Sequence, residues 1–381
     1  MTDYWTRGRR GIASIVPGRE AAKASQRFHP DLANAAVMHM GTRRILFETL
    51  ARIRRSSGWD TITRRNALFQ RIMIHQLRKG WLRELRSESG IFFSYSYAAL
   101  DLLRFFRELG WRTVLGQMDP GIHEEEIVAA EQARHPDLPS HWSLAPGNYW
   151  NLWREECALS DRIVVNSEWS REALLATGVA SEKIMVVPLA YERTPNAVAR
   201  APVPPAFTEE RPLCVLFLGQ LTLRKGVHLA LDAARQMRDE PVRWCFVGPG
   251  DMEFPNDLQG SPRIHWSGPV SRDATRQLYG DADLFLLPTL SDGFALTQLE
   301  AQAAGLPVIA SKFCGDVVRD GVNGWIIDPL TSSAIVERMR CALKEPVLLR
   351  LMSGASSVHA RFSLDALGTN LEQIERELST P

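Results

Sequence analysis

From residue 91 onward, apolar positions alternate between two rhythms. Ile91 to Ser94 is a short apolar run; Ala99, Leu102, Leu103 and Phe106 then recur at i, i+3, i+4 and i+7 until Gly110; Trp111 to Leu115 opens another apolar run. The pattern predicts strand, helix, strand. It continues with a helical stretch ending near Ser160, a strand at Arg162 to Asn166, a helix opened by Ser167 and closed near Gly178, and a strand at Lys183 to Val187. Strands separated by helices of this length argue for a parallel sheet covered on both faces.

The rhythm stops between residues 193 and 212, where five prolines stand without any period, as in a linker. A second alternating series follows. Strands are expected at Leu213 to Leu218, Arg243 to Val247, Ile264 to Trp266, Leu284 to Leu287, Pro307 to Ala310 and Trp325 to Ile327. Helices are expected at Val227 to Met237, up to Tyr279, at Phe294 to Ala304, and from there to the end. The expectation is an α/β chain of two doubly wound, Rossmann-like domains, residues 1–195 and 213–381, joined by a linker at 196–212. In such sheets ligands bind beyond the carboxyl ends of strands, and two such edges can face each other across a cleft.

Composition narrows the class. With 45% apolar and 23% charged residues the chain is an ordinary globular one, and a net charge of +1 removes the case for a nucleic-acid-coating protein. The near-neutral total hides an asymmetry: residues 1–88 carry 18 Lys/Arg against 7 Asp/Glu, so the remainder is acidic. Basic residues interleaved with apolar ones, as in RRILFETLARIRR, suit a helix lying on anionic lipid headgroups and equally suit solvated helix faces. The five cysteines are scattered, with no CxxC pair, and read as reduced apolar fillers. No stretch approaches a membrane-spanning length and no secretory leader is evident, so the expected location is the cytoplasm, with a peripheral association with the inner membrane face as an extension.

Two segments carry candidate chemistry. FLGQLTLRKG puts Gly219 and Gln220 at a strand end and Arg224, Lys225 and Gly226 just before a helix. Close backbone approach, helix-start N–H groups and two cations suit a diphosphate, although RKG alone is also an ordinary charged turn. FVGPG, with Gly248, is a second glycine-rich strand end; it lacks the third glycine of the dinucleotide fingerprint and gives no case for NAD. In SDGFALTQLEAQAAG, Asp292 lies in the loop before a helix and Glu300 on its second turn, with N–H groups of Gly293, Phe294 and Ala295 at the helix start. Glu300 needs a hydroxyl or cation partner, which a ribose diol or a neighbouring helix would supply. Asp292 also fits a helix cap.

These blocks, in this order over about residues 90–378, together with LSDRIVVNSEWSREALLATG and DGVNGWIIDP, resemble the retaining GT-B glycosyltransferases of family 4. The resemblance implies transfer of a sugar from a nucleotide-sugar donor, UDP- or GDP-linked, to a lipid-linked saccharide or polysaccharide, without metal or cofactor. It places Arg224 and Lys225 on the diphosphate, Glu300 on the ribose, and the Gly293 to Leu296 amides near sugar and phosphate. Asp281 to Asp283 superficially matches the metal-binding DxD of another glycosyltransferase fold, but it precedes its strand and reads as a helix-to-strand turn. Three departures stand out. Gln220 replaces the usual Arg, Asp292 replaces the usual Glu, and the usual opening strand and glycine-rich loop are missing from residues 1–60. The chain therefore either starts downstream of the true beginning or has a trimmed first domain. On the acceptor side GQMDPGIHEEE makes Asp119 and His123 candidates for steering a hydroxyl, while Glu124 to Glu126 read as helix-starting acids. Tyr95 and Tyr97 fit either acceptor contact or core packing. The alternative function is a non-catalytic, nucleotide-sugar-binding or membrane-associated scaffold.

Overall fold

A computed structural model describes residues 37–53, 58–138, 142–192, 200–250 and 252–379. The chain divides into two compact units, Met1–Gly116 with Ala145–Ile163, and Gln117–Leu144 with Val164–Pro381. Among the described residues no strand precedes Ile91; helices α1 (Thr42–Ile53), α2 (Gly58–Gly80) and α3 (Leu82–Ser87) stand there instead. Arg54 and Arg55 lie outside the described residues.

Strand β1 (Ile91–Tyr95), helix α4 (Leu100–Glu108) and strand β2 (Arg112–Gln117) follow within a residue or two of the periodic pattern. β1 and β2 pair in parallel from Ile91–Arg112 to Tyr95–Gly116. The apolar positions of α4 bury Leu102, Leu103, Phe105 and Phe106, and Phe106 stacks on Phe92 at 4.1 Å. Next come α5 (Ile122–Arg134), α6 (Gly147–Leu159), β3 (Arg162–Val165), α7 (Glu168–Ala176) and β4 (Ile184–Val186). Ser167 caps α7 by accepting from the Ser170 N–H, as its position before the apolar run implies. Tyr97 has a left-handed φ of 73° and stacks on Tyr149 at 5.2 Å. Glu156 holds that turn by accepting backbone N–H bonds from Tyr97, Ala99 and Leu100.

The second sheet is built from β5 (Leu213–Leu218), β6 (Val242–Val247), β7 (Ile264–Ser267), β8 (Leu284–Leu287), β9 (Val308–Ser311) and β10 (Gly324–Ile327). Helices α8 (Val227–Gln236), α9 (Arg272–Asp281), α10 (Leu296–Ala303), α11 (Ser332–Lys344), α12 (Pro346–Ala355) and α13 (Leu364–Ser379) connect or follow the strands. The first sheet runs β1-β2-β3-β4 and the second β10-β9-β8-β5-β6-β7, with parallel pairing at each registered pair. β8 and β9 are buried along their whole length and β5 nearly so, as the centre of a sheet covered on both faces requires, whereas β1 and β7 are only partly buried. β5 lies between β6 and β8, so the chain reverses direction across the sheet there, the switch point at whose carboxyl edge open sheets of this kind bind ligands.

Candidate functional site

Glycines set the strand ends. The Gly219 N–H donates to the Val247 carbonyl at 3.0 Å, and a Cβ on Gly248 (φ 146°) would lie 1.7 Å from the Gly219 carbonyl oxygen. The ends of β5 and β6 therefore meet backbone to backbone, which only glycine permits. Gln220, the next residue, is exposed. A short 3₁₀ turn, Leu223–Lys225, closes at Gly226 (φ 71°), where a Cβ would meet the Pro288 carbonyl oxygen at 1.8 Å. This contact clamps Arg224 and Lys225 against the loop that leaves β8.

That loop holds both cations. Arg224 Nη1 donates to the Ser291 carbonyl at 3.0 Å and lies 3.8 Å from Asp292 Oδ1 and 3.5 Å from Glu124 Oε2. Lys225 Nζ pairs with Asp292 Oδ2. The helix-cap alternative for Asp292 is overturned, because α10 starts only at Leu296, with Ala295 as its cap residue and no side-chain cap. Phe294 and Ala295 were expected inside that helix. Ala295 is instead extended (φ −87°, ψ 99°), and the buried Phe294 ring packs 5.7 Å from Phe362. Core packing of the aromatic ring outweighs its fit to the helical rhythm. The Ala295 N–H donates to the Cys314 carbonyl at 3.1 Å, so it is engaged within the protein, while Leu296 is exposed. The Gly293 carbonyl accepts from Ser167 Oγ at 2.7 Å, and a Cβ on Gly293 would meet the Met118 carbonyl oxygen at 2.0 Å.

Glu300 is partly buried on the second turn of α10 and receives a 2.8 Å hydrogen bond from the Tyr279 hydroxyl. Burial, and then the Glu300 charge, hold the Tyr279 phenol well above its ordinary value, so it stays a donor. The hydroxyl partner expected for Glu300 thus exists inside the protein. Asp283 of the DAD string is buried before β8, where Arg211 grips its two oxygens at 2.7 Å each and the Cys214 N–H donates at 2.9 Å. These contacts make Asp283 a structural anchor of the helix-to-strand turn.

Asp119 and His123 fall in the same compact unit as Arg224, Lys225, Asp292 and Glu300. Asp119 Oδ1 accepts from Gln117 Nε2 and from the Gly121 N–H, both at 2.9 Å, which fixes the turn into α5. His123 Nδ1 lies 3.3 Å from Glu126, and its ring lies 5.7 Å from Trp169, whose indole N–H donates to Ser291 Oγ at 3.2 Å. Glu124, read from the sequence as a helix-starting acid, does stand in the first turn of α5, but its place beside Arg224 went unread. Burial pushes its carboxyl up to about 7 against the opposing pull of Arg224, with Asp119 and Asp292 raising it further and a Ser291 hydrogen bond lowering it. A signal for it was present: Glu124, Val128 and Glu131 recur at i, i+4 and i+7, one face of α5, and Val128 packs with Leu223 and Leu290. Tyr279 left no such trace, because it stands 21 residues from Glu300 on another element.

At the far end of α5, Glu131, the His135 that follows the helix and His228 of α8 bring one ligand atom each within 4.8 Å of one another, a donor set that suits a transition metal. Arg134 competes for the same carboxylate, 2.8 Å from the second Glu131 oxygen.

Two parallel sheets with these strand ends form the α/β architecture of GT-B glycosyltransferases. Sucrose-phosphate synthase from Thermosynechococcus elongatus superposes with a TM-score of 0.56 at 20% identity over 76% of this chain and 73% of that one. Anabaena HepE in complex with UDP-glucose gives 0.56 at 19%, over 76% and 79%. Residues 212–345 match the family described as glycosyl transferases group 1. The amylovoran biosynthesis glycosyltransferase of Erwinia amylovora is 27% identical over 49% of this chain and 46% of its own length. The D-inositol 3-phosphate glycosyltransferase of Nocardia farcinica is 28% identical over 66% and 60%. The matched stretch thus spans about half of these curated relatives.

Proposed function

We propose that this chain transfers a glycosyl group from a UDP- or GDP-linked sugar to a saccharide or lipid-linked acceptor, with retention at the anomeric carbon and without a metal ion. The observation that carries this reading is the convergence of Arg224 and Lys225 on the loop leading to α10, with Glu300 on the second turn of that helix. A departing nucleoside diphosphate gains negative charge as the sugar leaves. Two cations fixed at that point stabilise the transition state more than the ground state. Glu300, oriented by Tyr279, offers a carboxylate oxygen to a ribose diol. HepE's UDP-glucose supports the donor class, and the amylovoran relative supports a saccharide acceptor.

The acceptor side draws support from α1, which exposes Ile45, Leu46, Leu50 and Ile53 on a basic helix. Such a face suits the inner surface of a membrane where a lipid-linked acceptor would lie. The exposed Gln220, in place of a third cation, favours the second reading, a non-catalytic binding subunit.

Incubation with a panel of nucleotide sugars and acceptors, followed by product analysis, separates the two. Transfer is expected, and it should persist in excess EDTA; a loss restored by Mg²⁺ or Mn²⁺ would overturn metal independence. Lys225→Ala and Glu300→Ala should each lower nucleotide affinity or turnover by about ten- to a hundredfold, the loss of one charge-assisted contact. Near-wild-type behaviour of both variants would sink the donor-site assignment.

A further inference from the structure

The two cations of the phosphate turn are already matched. Lys225 pairs with Asp292, and Arg224 lies between Asp292 and Glu124, with Asp119 adding a third carboxylate nearby. A nucleoside diphosphate would bring at least two more negative charges to a place whose positive charge is spent. One carboxylate has to give way. Asp292 reaches both cations, whereas Glu124 reaches only Arg224, at 3.5 Å, longer than the 2.7–2.9 Å of a tight charge-assisted bond. Glu124 Oε2 is enclosed and accepts no hydrogen bond among the described residues. A Ser291 hydrogen bond favours its charged form, but burial and the neighbouring Asp119 and Asp292 charges oppose it, and among the described residues no cation lies as close to it as Lys225 does to Asp292.

Its surroundings enclose it on several sides. Arg224 and Lys225 come from the 3₁₀ turn, Ser291 and Asp292 from the loop after β8, and Asp119 from the turn before α5. On its own helix His123 is paired with Glu126 and Glu131 with His228 of α8; on α7, Glu168 is paired with Arg171. Apart from Arg224, then, the charged groups next to Glu124 either repel its negative charge or are occupied elsewhere.

We propose that Glu124 is a positioning residue that exchanges its ion pair for a proton when the donor binds. The incoming diphosphate takes Arg224, and the released Glu124 carboxylate takes one proton from solvent. The neutral carboxyl can then donate its O–H to a phosphate oxygen, where an anion would repel it. No bond within the nucleotide changes in this step. The carboxyl's position near neutrality means that this exchange needs little displacement of its equilibrium at physiological pH. The inference rests on the donor-site reading above and assigns that site a proton requirement.

Calorimetric titration of the full chain with UDP and with GDP tests it, at pH 7.5 to 8.5 in buffers of different ionisation enthalpy. This range lies above the terminal phosphate's own ionisation near 6. Wild type should take up close to one proton per nucleotide at the upper end of the range, and its affinity should fall by up to about tenfold per pH unit. Glu124→Gln, which carries a permanent neutral side chain, should abolish the uptake and flatten the pH profile while keeping or tightening affinity at pH 8.5. Binding by wild type without buffer-dependent heat, or an unchanged profile in Glu124→Gln, overturns the proposal and leaves the donor site standing. If neither nucleotide binds wild type, the donor-site reading falls and this one falls with it. Should Glu124→Gln fail to fold, the buffer dependence of wild type alone decides.

Discussion

Tyr279 is 4% exposed and directs its hydroxyl at a carboxylate, so the pair works only while both members are present. Tyr279→Phe should cost about 1–3 kcal/mol of stability, because it leaves Glu300 partly buried with one donor fewer. It should also weaken nucleotide binding, though less than Glu300→Ala does; urea midpoints and titration with UDP and GDP measure the two effects. An unchanged midpoint would mean that solvent replaces the hydroxyl. The cations were legible in the sequence because RKG ends a turn and opens a helix, a local signal. Tyr279 and Glu124 were not, because their partners come from distant segments, and only the phase of α5 sets which of three consecutive glutamates faces Arg224.

Among the elements, α5 is fastened to α8 at its far end by His228 Nε2 and Glu131 Oε1, 2.8 Å apart. Burial acts to raise the Glu131 carboxyl, but hydrogen bonds from His228 and Arg134 outweigh it and hold the group below its ordinary value. Burial likewise holds His228 below its ordinary value, against the pull of Glu131. The signs then follow. A histidine kept neutral by the fold charges first in the unfolded chain, so its contribution is present above 6.5 and is lost as pH falls toward the folded value. That of Glu131 is present above 4.5 and is lost as pH falls through its own lower folded value. Between pH 7 and 5 wild type should lose stability relative to His228→Gln, read as the difference in urea midpoints. Glu124 and Glu156, both pushed up to about 7 by burial, act with the opposite sign and cancel in that difference. Equal pH responses would show that the pair does not couple to folding.

At this scale the sheets were the most legible feature. Leu213–Leu218 and Leu284–Leu287 match their expected spans because buried parallel strands are unbroken apolar runs between turns. The start of α10 was misplaced, since Phe294 and Ala295 are apolar for the core and not for a helix face.

For the molecule as a whole, charge is divided unevenly along the chain. Residues 1–88 are net basic while the rest of the chain is net acidic, and α1 adds exposed apolar side chains, with Leu46 60% and Ile53 72% accessible. If this face meets a membrane, the protein should sediment with vesicles containing anionic lipid and much less with neutral ones, since each Lys or Arg near such a surface contributes about 1 kcal/mol. Binding should weaken with salt. Replacing Arg54, Arg55, Arg64 and Arg65 by Gln should reduce it, as should Leu46→Ser with Ile53→Ser. Equal sedimentation with both vesicle types would mark the residues as an ordinary solvated face and favour a soluble acceptor.

The glycine contacts at the strand ends bear on how the protein can change over generations. Gly226, Gly248 and Gly293 each face a carbonyl oxygen 2.0 Å or less from where a methyl group would sit, so a substitution there is rejected by folding before any sugar is tested. If the proposed donor site is right, changes in donor preference can arise only around these fixed points. Gln220, Pro249 and Leu296 are exposed beside them. A library that randomises those three positions tests whether they tune donor choice, whereas one that includes the glycines mostly samples unfolded chains.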